Sequence, residues 1–471
     1  MTAHIQVFNH HIQLPYLLLA VLEFALLMAA AYFSVVYNLV GFKYELFVFH
    51  VEAQQYALLY ASVMLLATFS MGVHGAGLSD GFISMFVRTV VSYCLLGLAI
   101  MIVLSFVVPV SGVARGSLFM TVCSSLVLVM LLRWAFYSLV DMALLKRRIL
   151  VLGAGVRAAK IIERIKAEPL QGSTIVGYVP TDSEPVGISS HLLLDPVGGI
   201  KHLVKKHHVD EILIAIDERR RDRGSFFPLE ELLDCKLSGT RITEVVEFYE
   251  REFSRIELSE INTSWMILSD QFRYSQLRDK SKRLFDITVS LLLLSVMWPF
   301  MVLTALAIFL ESGAPVLYSQ QRVGYKGRVF PIYKFRSMRQ DAEKDGKAVW
   351  AQQNDSRVTK VGAFIRNTRL DELPQIFNVL RGEMSFVGPR PERPEFVKDL
   401  SKQLPYYDAR HRVKPGLMGW AQLKYSYGAS VDDAANKLVY DLYYVKNHSS
   451  LLDLLIVVQS VEVVLLGKGV R

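Results

Sequence analysis

Two carboxylates stand side by side at Asp371 and Glu372, inside a stretch that reads FIRNTRLDELPQIFNVLRGEMSFVGPRPE from Phe364 to Glu392. Arg366 and Arg369 precede them, and a stiff Gly388-Pro389-Arg390-Pro391 turn follows. These residue types suit phosphate chemistry. Arginine holds phosphate oxygens through a planar fork of donors, and a carboxylate attacks phosphorus or holds a hard divalent cation. A lone Asp-Glu pair more often marks only the acidic first turn of a helix. Pro374 suits such a first turn, which sets the pair near a helix N-terminus, a place that favours phosphate. Neighbouring helical positions point about 100° apart, so the two acids are expected to have different tasks.

Other cations lie on either side. Tyr333-Lys334-Phe335-Arg336-Ser337-Met338 supplies Lys334 and Arg336, which read equally well as solvated charges on an edge strand. Arg412 opens the run RVKPGLMGWAQ that ends at Gln422. Trp420 reads first as a core aromatic, and Tyr443 and Tyr444 as aromatics of a membrane interface. His10-His11 and His207-His208 lack metal-ligand geometry. Cys94, Cys123 and Cys235 support neither a disulfide framework nor a zinc site.

The elements that must position these residues are mostly apolar. The chain has 471 residues, 52% of them hydrophobic, with a net charge of +8. That length allows two to four domains. A basic excess in an apolar chain fits loops facing anionic lipid, not nucleic acid. Four runs, Leu14–Val40, Phe47–Met71, Phe82–Val110 and Ser117–Val140, are each long enough to cross a hydrocarbon core of about 30 Å as a helix. Connections such as Gly72–Gly81 are short, and outer loops carry little positive charge, chiefly Lys43 and Arg115. Lys146-Arg147-Arg148 closes the fourth run, which places that end, and with four crossings the N-terminus, in the cytoplasm. The first run lacks the flanks of a signal peptide and is expected to be retained. Glu23 within it is expected to be paired.

The pattern then changes. Strands at Arg148–Leu152, Thr174–Val179 and Glu211–Ile216 alternate with helical patterns, as in a parallel sheet with covering helices. Gly153-x-Gly155-x-x-Ala158 after the first strand is the dinucleotide-binding fingerprint. Asp182 is a candidate ribose acid, although it stands later than the usual spacing. A regulatory or assembly domain that keeps the fold without a ligand is the competing reading. A basic collar, Arg278–Arg283, leads into the apolar run Leu284–Leu310 with Pro299 at its middle. Basic residues flank this run on both sides, and proline breaks a helical ladder. The charges therefore point to a re-entrant helix that enters and leaves by one face, against a kinked true span. Leu451–Leu466 reads as a surface-lying or a core helix.

In order along the chain stand Lys282-Arg283-x-x-Asp286, Lys334-Phe335-Arg336-Ser337-Met338, Asp371-Glu372-Leu373-Pro374-Gln375, Gly388-Pro389-Arg390-Pro391 and Pro415-Gly416-Leu417-Met418-Gly419-Trp420. This set closely resembles the polyprenyl-phosphate hexose-1-phosphate transferases, the monotopic phosphoglycosyl transferases. The four apolar runs and the sheet domain resemble their long branch, which begins exopolysaccharide and O-antigen synthesis. The resemblance implies transfer of a hexose 1-phosphate from a UDP-hexose to undecaprenyl phosphate, with release of UMP and a need for Mg²⁺. It implies Asp371 as nucleophile, Glu372 as its metal-binding or catalytic partner, and Lys334, Arg336, Arg366, Arg390 and Arg412 as binders of phosphate or nucleotide. Asp371 and Glu372 would hold the metal. A homodimer at the bacterial inner membrane, its catalytic part facing the cytoplasm among the lipids, is implied as well. One departure is Trp298, which stands before Pro299 where short family members often carry a small polar residue.

The expected fold class is thus a membrane α-helical bundle (1–145), an α/β Rossmann-like domain (146–271), a collar with a Pro-broken re-entrant helix (272–311), and a mixed α/β catalytic domain (312–471). Three other functions compete. An NAD-dependent sugar-nucleotide enzyme needs a Tyr-x-x-x-Lys pair, which the middle domain lacks. A membrane sensor would tolerate loss of Asp371. A conventional glycosyltransferase would release UDP instead of UMP.

Overall fold

The computed structural model describes residues 4–7, 10–39, 46–70, 82–98, 100–102, 112–139, 146–170, 172–181, 185–217, 227–261, 276–340, 357–425 and 430–465. Asp182, the Gly72–Gly81 connection, Lys43 and the domain boundary expected at 271 lie outside these residues. The chain divides into two compact units, Met1–Glu260 and Ile261–Arg471.

The first unit opens with a short antiparallel hairpin, β1 (His4–Val7) and β2 (His10–Gln13). The apolar runs follow as helices α1 (Leu14–Leu39), α2 (Leu46–Ser70), α3 (Phe82–Val91, continued by a π-helical segment Ser92–Gly97) and α4 (Gly112–Leu139). Their apolar faces share a core around Leu27, Ala57, Tyr60 and Val129. Two polar links cross that core. Tyr60 Oη lies 2.6 Å from Ser125 Oγ. The Arg133 guanidinium grips Glu23 through both carboxylate oxygens, at 2.5 and 2.8 Å, and also donates to Thr89. A charge taken this deep is held only with a partner. Among the described residues of this unit, α1 and α4 are long and apolar enough to cross a membrane, over Leu17–Tyr37 and Leu118–Phe136, as is the stretch Arg278–Ser312 of the second unit. Helix α2 is not among such spans; Glu52, Gln54 and Gln55 stand in its N-terminal half.

Four parallel strands come next: β3 (Arg147–Leu152), β4 (Ser173–Val179), β5 (Glu211–Ile214) and β6 (Arg241–Glu244), in the order β4-β3-β5-β6. Helices α5 (Val156–Ala167), α6 (Gly199–Lys206), α7 (Leu229–Leu237) and α8 (Val245–Phe253) connect or follow them. The near-continuous apolar strands are buried on both faces, as a parallel sheet requires. Arg147 does not act as a solvated topological charge. It is buried and pairs with Glu211 at 3.0 Å, and Arg251 reaches the same carboxylate at 2.9 Å.

The second unit begins with α9 (Gln276–Ser312). Pro299 lies inside this helix, and a proline kinks a helix without having to end it. Its middle is bare: Leu292, Trp298, Leu303 and Leu306 are each more than half exposed. Its two ends are not. Near the start, Lys282 pairs with Asp453 at 2.6 Å, and the Asp286 carboxylate accepts from Ser385 Oγ and Phe386 N–H at 2.8 and 3.0 Å. Near the finish, Ile308 shares a core with Phe335 and Ile365.

Beyond it lie the hairpin strands β7 (Leu317–Val323) and β8 (Val329–Phe335), then α10 (Lys360–Asn367), a 3₁₀ turn Leu370–Gln375, and α11 (Ile376–Arg381). Strand β9 (Ser385–Val387) pairs in parallel with β10 (Gly416–Met418). Helices α12 (Pro394–Gln403), α13 (Trp420–Lys424), α14 (Val431–Asn447) and α15 (Ser450–Leu465) complete the unit. Trp420 is buried and stacks on Tyr443, as a core aromatic does. Tyr443 and Tyr444 are buried too, so they are not interface aromatics. Leu452 and Ile456 bury one side of α15.

Candidate active site

The carboxylate pair is built on a local departure from the expected helix start. Asp371, Glu372 and Pro374 all belong to the 3₁₀ turn, and the α-helix begins only at Ile376. Arg369 just before it takes a left-handed backbone (φ 59°), which reverses the chain out of α10. In a 3₁₀ turn successive side chains point about 120° apart, so the two acids face different neighbours. The turn is pinned to β8 by Asn378. Its side-chain oxygen accepts the Tyr333 N–H at 3.2 Å, and its side-chain nitrogen donates to the Pro331 carbonyl at 2.7 Å.

That pinning brings Lys334 to Glu372. Lys334 Nζ and Arg390 Nη2 each lie 2.9 Å from Glu372 Oε1, and Arg369 Nη1 stands 4.0 Å from the same oxygen. Burial is the largest influence on Glu372 and pushes its carboxyl up; Lys334 first, then Arg390 and Arg369, overcome it and hold the group far below the usual range. Asp371 is also buried, yet among the described residues nothing donates a hydrogen bond to its carboxylate. Burial foremost, then the charge on Glu372, push Asp371 above the ordinary aspartate range, against Lys334, Arg369 and Arg390. The site therefore holds one carboxylate clamped in its ionised form beside one that is more basic and unclamped.

Arg390 is held from behind. Arg410 donates to the Arg390 carbonyl at 2.9 Å, pairs with Asp441 at 2.8 Å, and donates to Tyr407 Oη at 2.7 Å. Arg410 and Asp441 are both buried. The Gly388 turn meets the Pro415-Gly416 turn backbone to backbone. A side chain built on Gly416 would lie 2.0 Å from the Gly388 nitrogen, so no larger residue fits.

Not every expected residue joins this cluster. Arg336 lies apart from the two acids. A strand's period of two puts residues 334 and 336 on one face, but β8 ends at Phe335. Arg336 turns away and donates to the Ser312 carbonyl at 3.0 Å, Ser312 Oγ at 2.8 Å and the Gly313 carbonyl at 2.7 Å. It closes the end of α9 and contacts neither acid. Arg366 lies in the last turn of α10, and Arg412 is exposed at the end of the 3₁₀ turn Tyr407–Arg412. Neither bonds to Asp371 or Glu372. Sequence reasoning left Asn378, Arg410 and Asp441 out. Asn378 and Arg410 bond to the site's backbone and Asp441 holds Arg410, and no residue spacing announces that.

A family described as a bacterial sugar transferase matches residues 277–467. One described as a CoA-binding domain matches residues 71–223. The UDP-N-acetylgalactosamine-undecaprenyl-phosphate N-acetylgalactosaminephosphotransferase of Aeromonas hydrophila is 48% identical over 190 residues, 40% of this chain and 45% of that protein. The undecaprenyl-phosphate glucose phosphotransferase of Komagataeibacter xylinus is 34% identical over 68% of this chain and 59% of its own length. The undecaprenyl-phosphate galactose phosphotransferase of Salmonella typhimurium is 31% identical over 69% of each. The chain thus matches less than two thirds of the first two of these relatives.

Proposed function

The chain belongs to the bacterial sugar transferase family, and from that premise we propose that it moves a hexose 1-phosphate from a UDP-hexose to undecaprenyl phosphate through an aspartyl phosphosugar on Asp371. The observation that carries the reading is the contrast between the two acids. Three cations converge on one oxygen of Glu372, while Asp371 is buried, more basic than usual and, among the described residues, without a donor. A carboxylate left in that state is a nucleophile in waiting.

An Asp371 oxygen attacks the phosphorus that bears the sugar. The bond to the bridging oxygen breaks and UMP leaves. An oxygen of undecaprenyl phosphate then attacks the same phosphorus, and the Asp371 carboxylate is released. Both partners are anions, so their approach is opposed by repulsion that Lys334, Arg369 and Arg390 offset. The donor set also fits Mg²⁺, which takes one or two carboxylates and fills the rest of its shell with substrate oxygens. Asp371 and Glu372 would hold it, and it would neutralise charge on the diphosphate when bound. In this reading Arg366 and Arg412 bind phosphate or nucleotide outside the carboxylate cluster, and a second copy of the chain completes a homodimer.

Helix α9 is re-entrant in this reading. Supporting it, both ends of the helix are bonded to one catalytic unit, through Lys282 and Asp286 at the start and Ser312 at the finish, while the apolar middle is bare. The basic flanks then stay with Lys146 on the cytoplasmic side of the inner membrane.

With UDP-hexose, undecaprenyl phosphate and Mg²⁺ supplied, the wild type releases UMP, and Asp371→Asn releases none. Phosphosugar trapped on the peptide that contains Asp371 supports the assignment. UDP as the released nucleotide, or substantial UMP from Asp371→Asn, would refute it.

A further inference from the structure

Strand β3 ends in the turn Gly153-Ala154-Gly155, and α5 starts at Val156. Gly153 has φ +120°, and a side chain there would lie 2.6 Å from the Ala215 carbonyl oxygen, so the turn presses on the end of β5. From β3 the chain moves one way to β4 and then the other way to β5. The crevice past the ends of β3 and β5 is therefore the switch point, where open α/β sheets take their ligands. In a dinucleotide or CoA site of this kind the first amides of the helix hold the diphosphate.

Here those amides are taken. The Val156 N–H donates to Asp217 Oδ2 at 2.7 Å, and the Arg157 N–H donates to Asp217 Oδ1 at 2.9 Å. Asp217 stands just past the end of β5, so its carboxylate bridges the crevice from the far side. The Arg157 side chain ties the crevice in the opposite sense, donating to the Ile216 carbonyl at 2.7 Å and pairing with Glu260 at 2.9 Å. A third segment covers the turn: the Gly187 N–H donates to the Ala154 carbonyl at 2.8 Å. A side chain on Gly187 would come within 3.4 Å of the Gly155 oxygen.

We infer that the Asp217 carboxylate is the resident anion of the glycine-rich turn, and that this domain takes no CoA or dinucleotide diphosphate there. The residues present do not fit the ligand that the matching CoA-binding family is described by. A diphosphate would have to displace two charge-assisted bonds and then sit beside the displaced carboxylate. The fingerprint is kept because the turn still needs its glycines to bring β3 against β5, and the helix still needs an anion at its first turn.

Hydrogen exchange of the full chain in detergent, read on peptides covering 153–160, tests this. In the wild type, slow exchange at Val156 and Arg157 is expected without added ligand, and millimolar CoA or NAD⁺ leaves it unchanged. Asp217→Ala is expected to speed exchange at these two amides by about tenfold or more. Asp217→Asn, which keeps the shape and one acceptor oxygen, falls between. Binding of either probe at the catalytic unit would slow exchange there and leave 153–160 unmoved, which agrees with the inference. Slower exchange at 153–160 of the wild type on adding CoA or NAD⁺ would overturn it. So would unchanged exchange in a folded Asp217→Ala.

Discussion

At the residue scale, the division of labour between two adjacent acids has consequences for stability and for pH. Asp371 carries a carboxyl raised above its unfolded value, with burial as the main cause. Its protonated form therefore stabilises the fold, fully so below about pH 3.9, and that stability is lost as pH rises through the folded value. Asp371→Asn removes the cost of the buried charge. The variant should melt at a higher temperature than the wild type at pH 7, with the gap closing toward pH 4, although it transfers nothing. Glu372 is the second largest cause of that raised value. Glu372→Gln should then lower the Asp371 value and move the acid limb of kcat/KM to lower pH. It also releases Lys334 and Arg390 from their shared oxygen, so the rate falls by about 10²-fold. An acid limb that stays in place in Glu372→Gln would show that the two acids do not communicate.

At the element scale, the site depends on how short segments are tied together. Arg410 joins the 3₁₀ turn Tyr407–Arg412, helix α14 through Asp441, and the backbone of Arg390. Arg410→Met leaves Asp441 buried without a partner and should cost about 3–5 kcal/mol. Adding Asp441→Leu should restore most of the melting temperature but not the rate of UMP release, because the Arg390 carbonyl still lacks its donor. Recovery of both together would mean that the pair serves stability alone. Much of this scale was legible in the residues. The alternation of strand and helix patterns marked the parallel sheet, and length marked the long helices. The 3₁₀ turn was not legible. Pro374 suits the first turn of an α-helix and a 3₁₀ turn alike, and the left-handed Arg369 that selects between them carries no glycine to announce it. The place of Arg336 was not legible either, because strand β8 stops at Phe335 and the guanidinium goes to Ser312 and Gly313.

At the scale of the whole molecule, charge and apolarity give different readings of α9. Length and hydropathy alone would have made α9 a crossing, and the basic residues on both flanks argued otherwise. Lys280 and Lys326 are both exposed, one on each side of the apolar stretch. Lys280→Cys and Lys326→Cys, in a background without Cys94, Cys123 and Cys235, should react with an impermeant thiol reagent from the same face of sealed vesicles. Reaction from opposite faces would make α9 a true span. What the sequence could not convey is which glycine-rich turn is open to a ligand, because Asp217 lies about sixty residues beyond the turn it fills and only the parallel pairing of β3 with β5 brings the two together.

Asp286 lies inside the apolar helix and yet holds the N–H of Phe386, two residues before the Gly388-Pro389-Arg390 turn. The same helix is therefore fastened to the arm that carries Arg390. A membrane helix adjusts its tilt to the hydrocarbon thickness around it, and such a shift in this one would pull on that arm. In the re-entrant reading, vesicles of shorter or longer acyl chains are then expected to change the rate of UMP release, and an unchanged rate would show that the tie carries no force.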